Sequence, residues 1–179
     1  MRKIPLILLI VLSISLLAGF TAFKRSRFIC PVKYKDEILI RCDGRGDGFF
    51  AAGRRGGRLH NGVDLYARVG TPVYASRYGR VIAAKRNRGM GKYVIIRHWG
   101  GYTSVYGHLA KIYVRKNQLV RQGRIIGTVG KTGNARYRGI QPHLHFEIKR
   151  KGIPQDPLDY IQGKSANQTA VIKTTSPGS

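Results

Sequence analysis

The apolar and polar positions of this chain change texture twice. Ile4 to Phe23 is a run without a charge, bracketed by Arg2 and Lys3 on one side and Lys24, Arg25 and Arg27 on the other. Twenty such residues suffice for one helical crossing of a bilayer. A cleaved signal needs small residues at its end, but Ala18 has Leu16 at the −3 place and Ala22 has Phe20. Residues 1–23 therefore read as a membrane anchor or signal sequence, with an uncleaved anchor the better fit. The basic cluster at 24–27 pulls toward the cytoplasm and leaves the orientation open.

Residues 24–58 form a basic linker whose Gly/Arg-rich part, Gly44 to Arg58, reads as a loop close to any substrate. Beyond Leu59 come short β-rich runs: Val63–Ala67, Val73–Ala75, Arg80–Ala83, Tyr93–Arg97, Tyr102–Tyr106, Arg124–Val129 and Leu144–Ile148. Glycine-bearing turns separate them, and Trp99-Gly100-Gly101-Tyr102 reads as a hairpin connection. No apolar pattern of period 3.6 lasts long enough for a core helix. The expectation is an all-β domain over 59–161, a single antiparallel sheet or sandwich. Residues 162–179, rich in Ser, Thr, Gly and Ala, read as a disordered tail.

Charge changes the picture. The 179 residues carry 33 Lys and Arg against 8 Asp and Glu, a formal net charge of +25. Such an imbalance predicts attraction to polyanions and says nothing of fold. No nucleic-acid recognition module is present, so an anionic cell-envelope surface is the expected partner and specific nucleic-acid binding is not. Cys30 and Cys42 match neither a zinc knuckle nor a redox pair. An exported chain favours a disulfide between them.

With acids so scarce, those beside histidines stand out. Residues i, i+2 and i+4 of a strand share a face. In Pro142-His143-Leu144-His145-Phe146-Glu147-Ile148, His143, His145 and Glu147 thus point one way, and apolar Leu144, Phe146 and Ile148 the other. Tyr106 and His108, two apart at a strand end, are expected on one face opposite Val105. His60-Asn61-Gly62-Val63-Asp64, if extended, again puts its first and last side chains together. Two histidines and a carboxylate are the donor set of a catalytic zinc site that keeps a position for water. His98, beside the Trp99 turn, reads as a structural histidine. Four of the five histidines fall in the joint pattern.

The motifs His60-x-x-x-Asp64, Tyr106-Gly107-His108-Leu109 and Pro142-His143-Leu144-His145-Phe146-Glu147 resemble the lysostaphin/LytM-type zinc metallopeptidases, which cut peptidoglycan cross-links. The resemblance runs over about residues 44–161, with Val69–Val73 and Gly79–Ile82 similar to that family's first strands. It implies a LytM-type (duplicated hybrid motif-like) domain outside the cytoplasm, in the cell envelope. It implies one zinc ion held by His60, Asp64 and His145, with His108 and His143 as acid/base histidines around the attacking water. Their division of labour stays open, as does the bond cut: a D-alanyl–diaminopimelate cross-link first, a glycine bridge second. Glu147 is a candidate to orient a histidine ring, or simply a partner of a nearby cation. Asn134 to Gln141 departs from the family's Ser/Thr-Gly-Pro approach, which bears on substrate preference. The alternative is a catalytically silent wall-binding or amidase-activating module of the same fold; retention of all five positions argues against it.

Overall fold

The computed structural model describes residues 28–35, 37–54, 56–161 and 171–175. In chain order the elements are β1 (Glu37–Ile40), β2 (Cys42–Asp43), β3 (Gly46–Asp47), β4 (Val63–Tyr66), β5 (Pro72–Tyr74), β6 (Gly79–Asn87) and β7 (Gly91–Arg97). There follow β8 (Tyr102–Ile112), β9 (Leu119–Val120), β10 (Ile125–Val129), β11 (His143–Arg150), β12 (Ile153–Gln155), the short helix α1 (Leu158–Ile161) and β13 (Val171–Thr174). All seven expected strands form, and the Trp99–Gly101 segment is a single 3₁₀ turn joining β7 to β8.

One sheet runs in the order β13-β1-β4-β11-β8-β7-β6-β9, with β12 added to β11 and β10 bridging β8 to β5. All pairs in it are antiparallel except β1 with β13. β11 lies between β4 and β8, so His145 is paired with Asp64 on one side and Gly107 on the other. Alternation then sorts its side chains. Leu144, Phe146 and Ile148 are fully buried in the core, beside Val63, Leu65, Val94, Ile96 and Tyr106. Each fully buried apolar side chain contributes roughly 1.5–3 kcal/mol. This apolar layer holds the opposite, polar face of β11 in fixed register. Gly62 lets β4 approach: a Cβ there would sit 2.2 Å from the Phe146 carbonyl oxygen.

Two boundaries and one cross-link differ from the sequence reading. Residues 28–58 are part of the domain, since Phe28, Val32, Ile38 and Ile40 enter the core and β1 pairs with β4. A basic composition hid four well-spaced apolar residues. Val171–Thr174, within the expected disordered tail, adds a parallel strand to β1; its Val-Ile-Lys-Thr run suits a strand, and the tail's overall composition masked it. The expected disulfide is not made. Cys30 packs against the core while Cys42 lies in the β2–β3 hairpin, and both are free thiols. Burial pushes the Cys30 thiol up to about 12. The anchor expected over 1–23 lies outside the described residues, among which no helix is long and apolar enough to cross a membrane.

Candidate metal centre and active site

The sheet brings four histidines and Asp64 together. β4 supplies Asp64, the approach to it supplies His60, β11 supplies His143 and His145, and β8 supplies His108. All five are at most 9% exposed. Three atoms form a tight triangle: His60 Nε2 lies 3.1 Å from Asp64 Oδ1, His145 Nδ1 lies 2.9 Å from the same oxygen, and the two nitrogens are 3.0 Å apart. Tetrahedral zinc with bonds of 2.0–2.1 Å places its donors about 3.3 Å apart, so the spacing suits that ion.

The outer edges of the rings fix what faces inward. His60 Nδ1 donates to the Phe49 carbonyl (2.7 Å) and His145 Nε2 meets Glu147 Oε1 (3.0 Å). Each ring thus has its lone-pair nitrogen left for the triangle. Two such nitrogens and a carboxylate oxygen at this distance repel unless positive charge lies between them. Although burial opposes charge on His145, its bonds to Asp64 and Glu147 carry its pKa up to about 9. Burial likewise opposes ionisation of Asp64, but His145 and His60 hold it well below the usual carboxylate range. A cation at this centre answers the same demand. The donor set, two imidazoles and one carboxylate with their outer atoms anchored, fits zinc. Glu147 plays both parts expected of it, since its second oxygen pairs with Lys149 at 2.9 Å.

His143 and His108 stand beside the triangle, their rings 4.9 Å apart. Each is tied through Nδ1 to a backbone carbonyl, His143 to Gln141 (2.7 Å) and His108 to Thr132 (2.9 Å). Both therefore turn Nε2 toward the shared space as a proton acceptor. Burial lowers the pKa of both, that of His108 to about 3 with the neighbouring His143 and His145 adding to the effect. His143 Nε2 is 3.8 Å from Asp64 Oδ1, whose charge is the leading influence in favour of a proton there.

The expectation that Tyr106 and His108 share a face is overturned by a bulge. Lys92 pairs with Leu109 but Val94 with Tyr106, so Tyr93 stands opposite both Gly107 and His108. His108 takes the left-handed conformation, φ 61°, with its N–H donating to the Met90 carbonyl. The bulge re-aims its ring into the site. Tyr106 points the other way: it is fully buried against Phe146, and its hydroxyl accepts the Ser76 N–H. His98 is structural, as expected. It is buried between the Tyr78 carbonyl (2.8 Å) and Ser104 Oγ (2.7 Å). Sequence reasoning missed Arg41 and Arg54, which close around the far oxygen of Asp64, and Asp43, which pairs with Arg41 behind them. Their only signal was the scarcity of acids, which made Asp43 worth a partner.

An all-β domain with a two-histidine, one-carboxylate centre and two flanking histidines has the form of a zinc hydrolase. The model of Peptidase family M23 matches residues 58–157, and the chain belongs to that family. It is 42% identical over 106 residues to a lipoprotein NlpD/LppB homolog of Pseudomonas aeruginosa, covering 59% of this chain and 34% of that protein. It is 43% identical over 99 residues to the peptidoglycan DD-endopeptidase ShyA of Vibrio cholerae, covering 55% and 22%. The chain thus spans about a third or less of these relatives. Among solved structures, it resembles a zinc-containing peptidase from Vibrio cholerae (35% identity, TM-score 0.58, 73% of this chain and 39% of that one). It also resembles the catalytic domain of lysostaphin from Staphylococcus simulans (34% identity, TM-score 0.53, 65% and 88%). The LytM-type fold and the zinc cofactor expected from the sequence are thereby supported.

Proposed function

We propose that the chain is a zinc endopeptidase that hydrolyses peptide cross-links of bacterial peptidoglycan. The observation that carries this reading is the convergence of His60, Asp64 and His145 at 2.9–3.1 Å beside two neutral histidines with Nε2 free for protons. His60, Asp64 and His145 hold the metal. Bound zinc would polarise the scissile carbonyl and bring a water near neutral pKa. His143, next to Asp64, takes the proton from the attacking water. His108 hydrogen-bonds the reacting group and helps return a proton to the leaving amine. Glu147 and the Phe49 carbonyl hold the two ligand rings in the required tautomers.

The names of the Vibrio relatives support a DD-type cross-link, D-alanyl–diaminopimelate, over a glycine bridge. An envelope location, with the domain exported or anchored outside the cytoplasm, accords with relatives named as a lipoprotein and as peptidoglycan enzymes. Charge supports it too. Between Leu65 and Phe146 there are sixteen Lys and Arg and no Asp or Glu. That stretch builds β5 through β10, with Arg80 and Arg97 directly opposed across β6 and β7. Like charges so placed are unfavourable alone and suit contact with an anionic wall or membrane.

The test is release of peptides from purified peptidoglycan by the full chain, with and without chelator, beside His145→Ala. Metal-dependent release that disappears in the variant supports the reading; a variant as active as wild type refutes it. A chain that binds zinc and peptidoglycan but releases nothing establishes the catalytically silent alternative.

A further inference from the structure

Asp64 gives one oxygen to the donor triangle, and its other oxygen is gripped from the far side. Oδ2 receives Arg41 Nη2 at 3.0 Å and Nε at 3.3 Å, with Arg54 Nη2 at 3.4 Å. Arg41 is 5% exposed, so its charge has little water to face. Its Nη1 pairs with Asp43 Oδ1 at 2.7 Å. The other oxygen of Asp43 accepts the Gln141 N–H at 2.9 Å. The Gln141 carbonyl, in turn, accepts from His143 Nδ1. A continuous path therefore joins a metal-site carboxylate to the histidine that handles protons: Asp64, Arg41, Asp43, Gln141, His143.

The backbone makes this path rigid. Arg41 N–H donates to the Asp64 carbonyl (2.9 Å), Asp64 N–H to that of Gly48 (2.8 Å), and Gly48 N–H to that of Arg41 (2.8 Å). A Cβ on Gly48 would sit 2.6 Å from the Arg41 carbonyl oxygen, so the closed ring needs glycine. From the chain's other end, Thr175 Oγ1 donates to Gln141 Oε1 at 2.7 Å and accepts the Cys42 N–H at 2.8 Å. Arg41, Asp43 and Thr175 all lie outside the 58–157 stretch that matches the family.

We infer that Arg41 and Asp43 are positioning residues, supplied from outside the family-matched region, that set the Asp64 carboxylate and the His143 ring relative to each other. The inference rests on the zinc-hydrolase reading. By occupying Oδ2, Arg41 restricts Asp64 to a single donor oxygen and leaves room for water. By offsetting the charge of Asp64, it leaves a bound cation more of its acidifying power. Asp43 balances the guanidinium and fixes the carbonyl that selects the His143 tautomer. Thr175 holds the same loop in place.

The test uses the full chain with Arg41→Met, Arg41→Lys and Asp43→Asn. Three quantities are read: zinc affinity by competition with a chromophoric chelator, the pH profile of kcat/KM on cross-linked muropeptides, and the thermal midpoint. Arg41→Met should weaken zinc about tenfold and move the acidic limb of the profile up by about one pH unit. Arg41→Lys, which keeps the charge but loses the fork, should restore the limb while zinc stays weakened. Asp43→Asn should lower kcat about tenfold with KM and zinc affinity near wild type. Should Arg41→Met fail to fold, the other two variants decide. Variants that lower only the thermal midpoint, with zinc affinity, pH limb and kcat unchanged, overturn the inference alone. A wild type that neither binds zinc nor cleaves overturns the functional reading beneath it.

Discussion

His98 offers a test of the fold that does not depend on the metal centre. It is 5% exposed, its ring edge-on to Phe28 at 5.3 Å and its two nitrogens bonded to the Tyr78 carbonyl and Ser104 Oγ. Burial lowers its pKa from 6.5 to about 4; the Tyr78 bond opposes that shift and nearby Arg77 adds to it. The folded state therefore favours neutral His98, while the unfolded chain takes up a proton near pH 6.5. Stability from this difference is fully present above pH 6.5 and is lost as pH falls toward 4. Two and a half pKa units correspond to about 3 kcal/mol. Burial lowers the pKa of His108 and His143 as well, so wild type alone is uninformative. The difference between wild type and His98→Asn isolates the effect. Urea unfolding in the presence of chelator should show the wild-type advantage shrinking by about 3 kcal/mol between pH 7.5 and pH 4. An advantage constant across that range would show that His98 does not carry the assigned burial cost, and would refute the reasoning.

Other consequences follow from the geometry. Replacing His108 or His143 with Ala should lower kcat/KM about 10²–10⁴-fold while one zinc per chain is retained in elemental analysis; loss of the zinc would move that histidine into the ligand set. Gly62→Ala must displace the Phe146 carbonyl, 2.2 Å from the new Cβ. It should cost at least 1–3 kcal/mol and weaken zinc binding, because Asp64 and His145 are paired across the same two strands. Phe146→Ala, which opens the core beneath the site, should cost about 3–5 kcal/mol by denaturant unfolding. Adsorption to anionic vesicles or isolated wall should fall steeply between 0.05 and 0.5 M salt, as expected for screened surface charge (~10 Å Debye length near 0.1 M); salt-independent adsorption would remove the cationic half-sheet as its cause.

Much of the fold was legible because β-rich runs and glycine turns report strands locally. The strands that escaped notice were short or embedded in charge. β1 has two buried residues, Ile38 and Ile40, within a segment (24–43) that carries six Lys and Arg and three Asp and Glu among its twenty residues. Its place in the sheet depends on pairing with β4, a contact 25 residues away that no local pattern encodes. The same applies to β13, whose partner lies more than 130 residues earlier. Composition averages over a segment, whereas a strand needs only a few residues and an available edge.

The polar face of β11 was legible for a different reason: strict alternation leaves no choice about where His143 and His145 point once Leu144 and Phe146 are in the core. His108 shows where that logic stops. By alternation it would face the core with Tyr106, and only a bulge with a positive φ brings its ring to the site. Periodicity assumed an unbroken strand and so placed the His108 ring by the wrong geometry. Arg41 lay beyond such reasoning altogether, because its role is set by a buried carboxylate 23 positions away rather than by its neighbours. A site of this kind is thus read in layers: alternation finds the histidine-bearing face of β11 and the bulge turns His108 toward it. The outermost layer, charge pairs from flanking segments, appears only when the chain is folded.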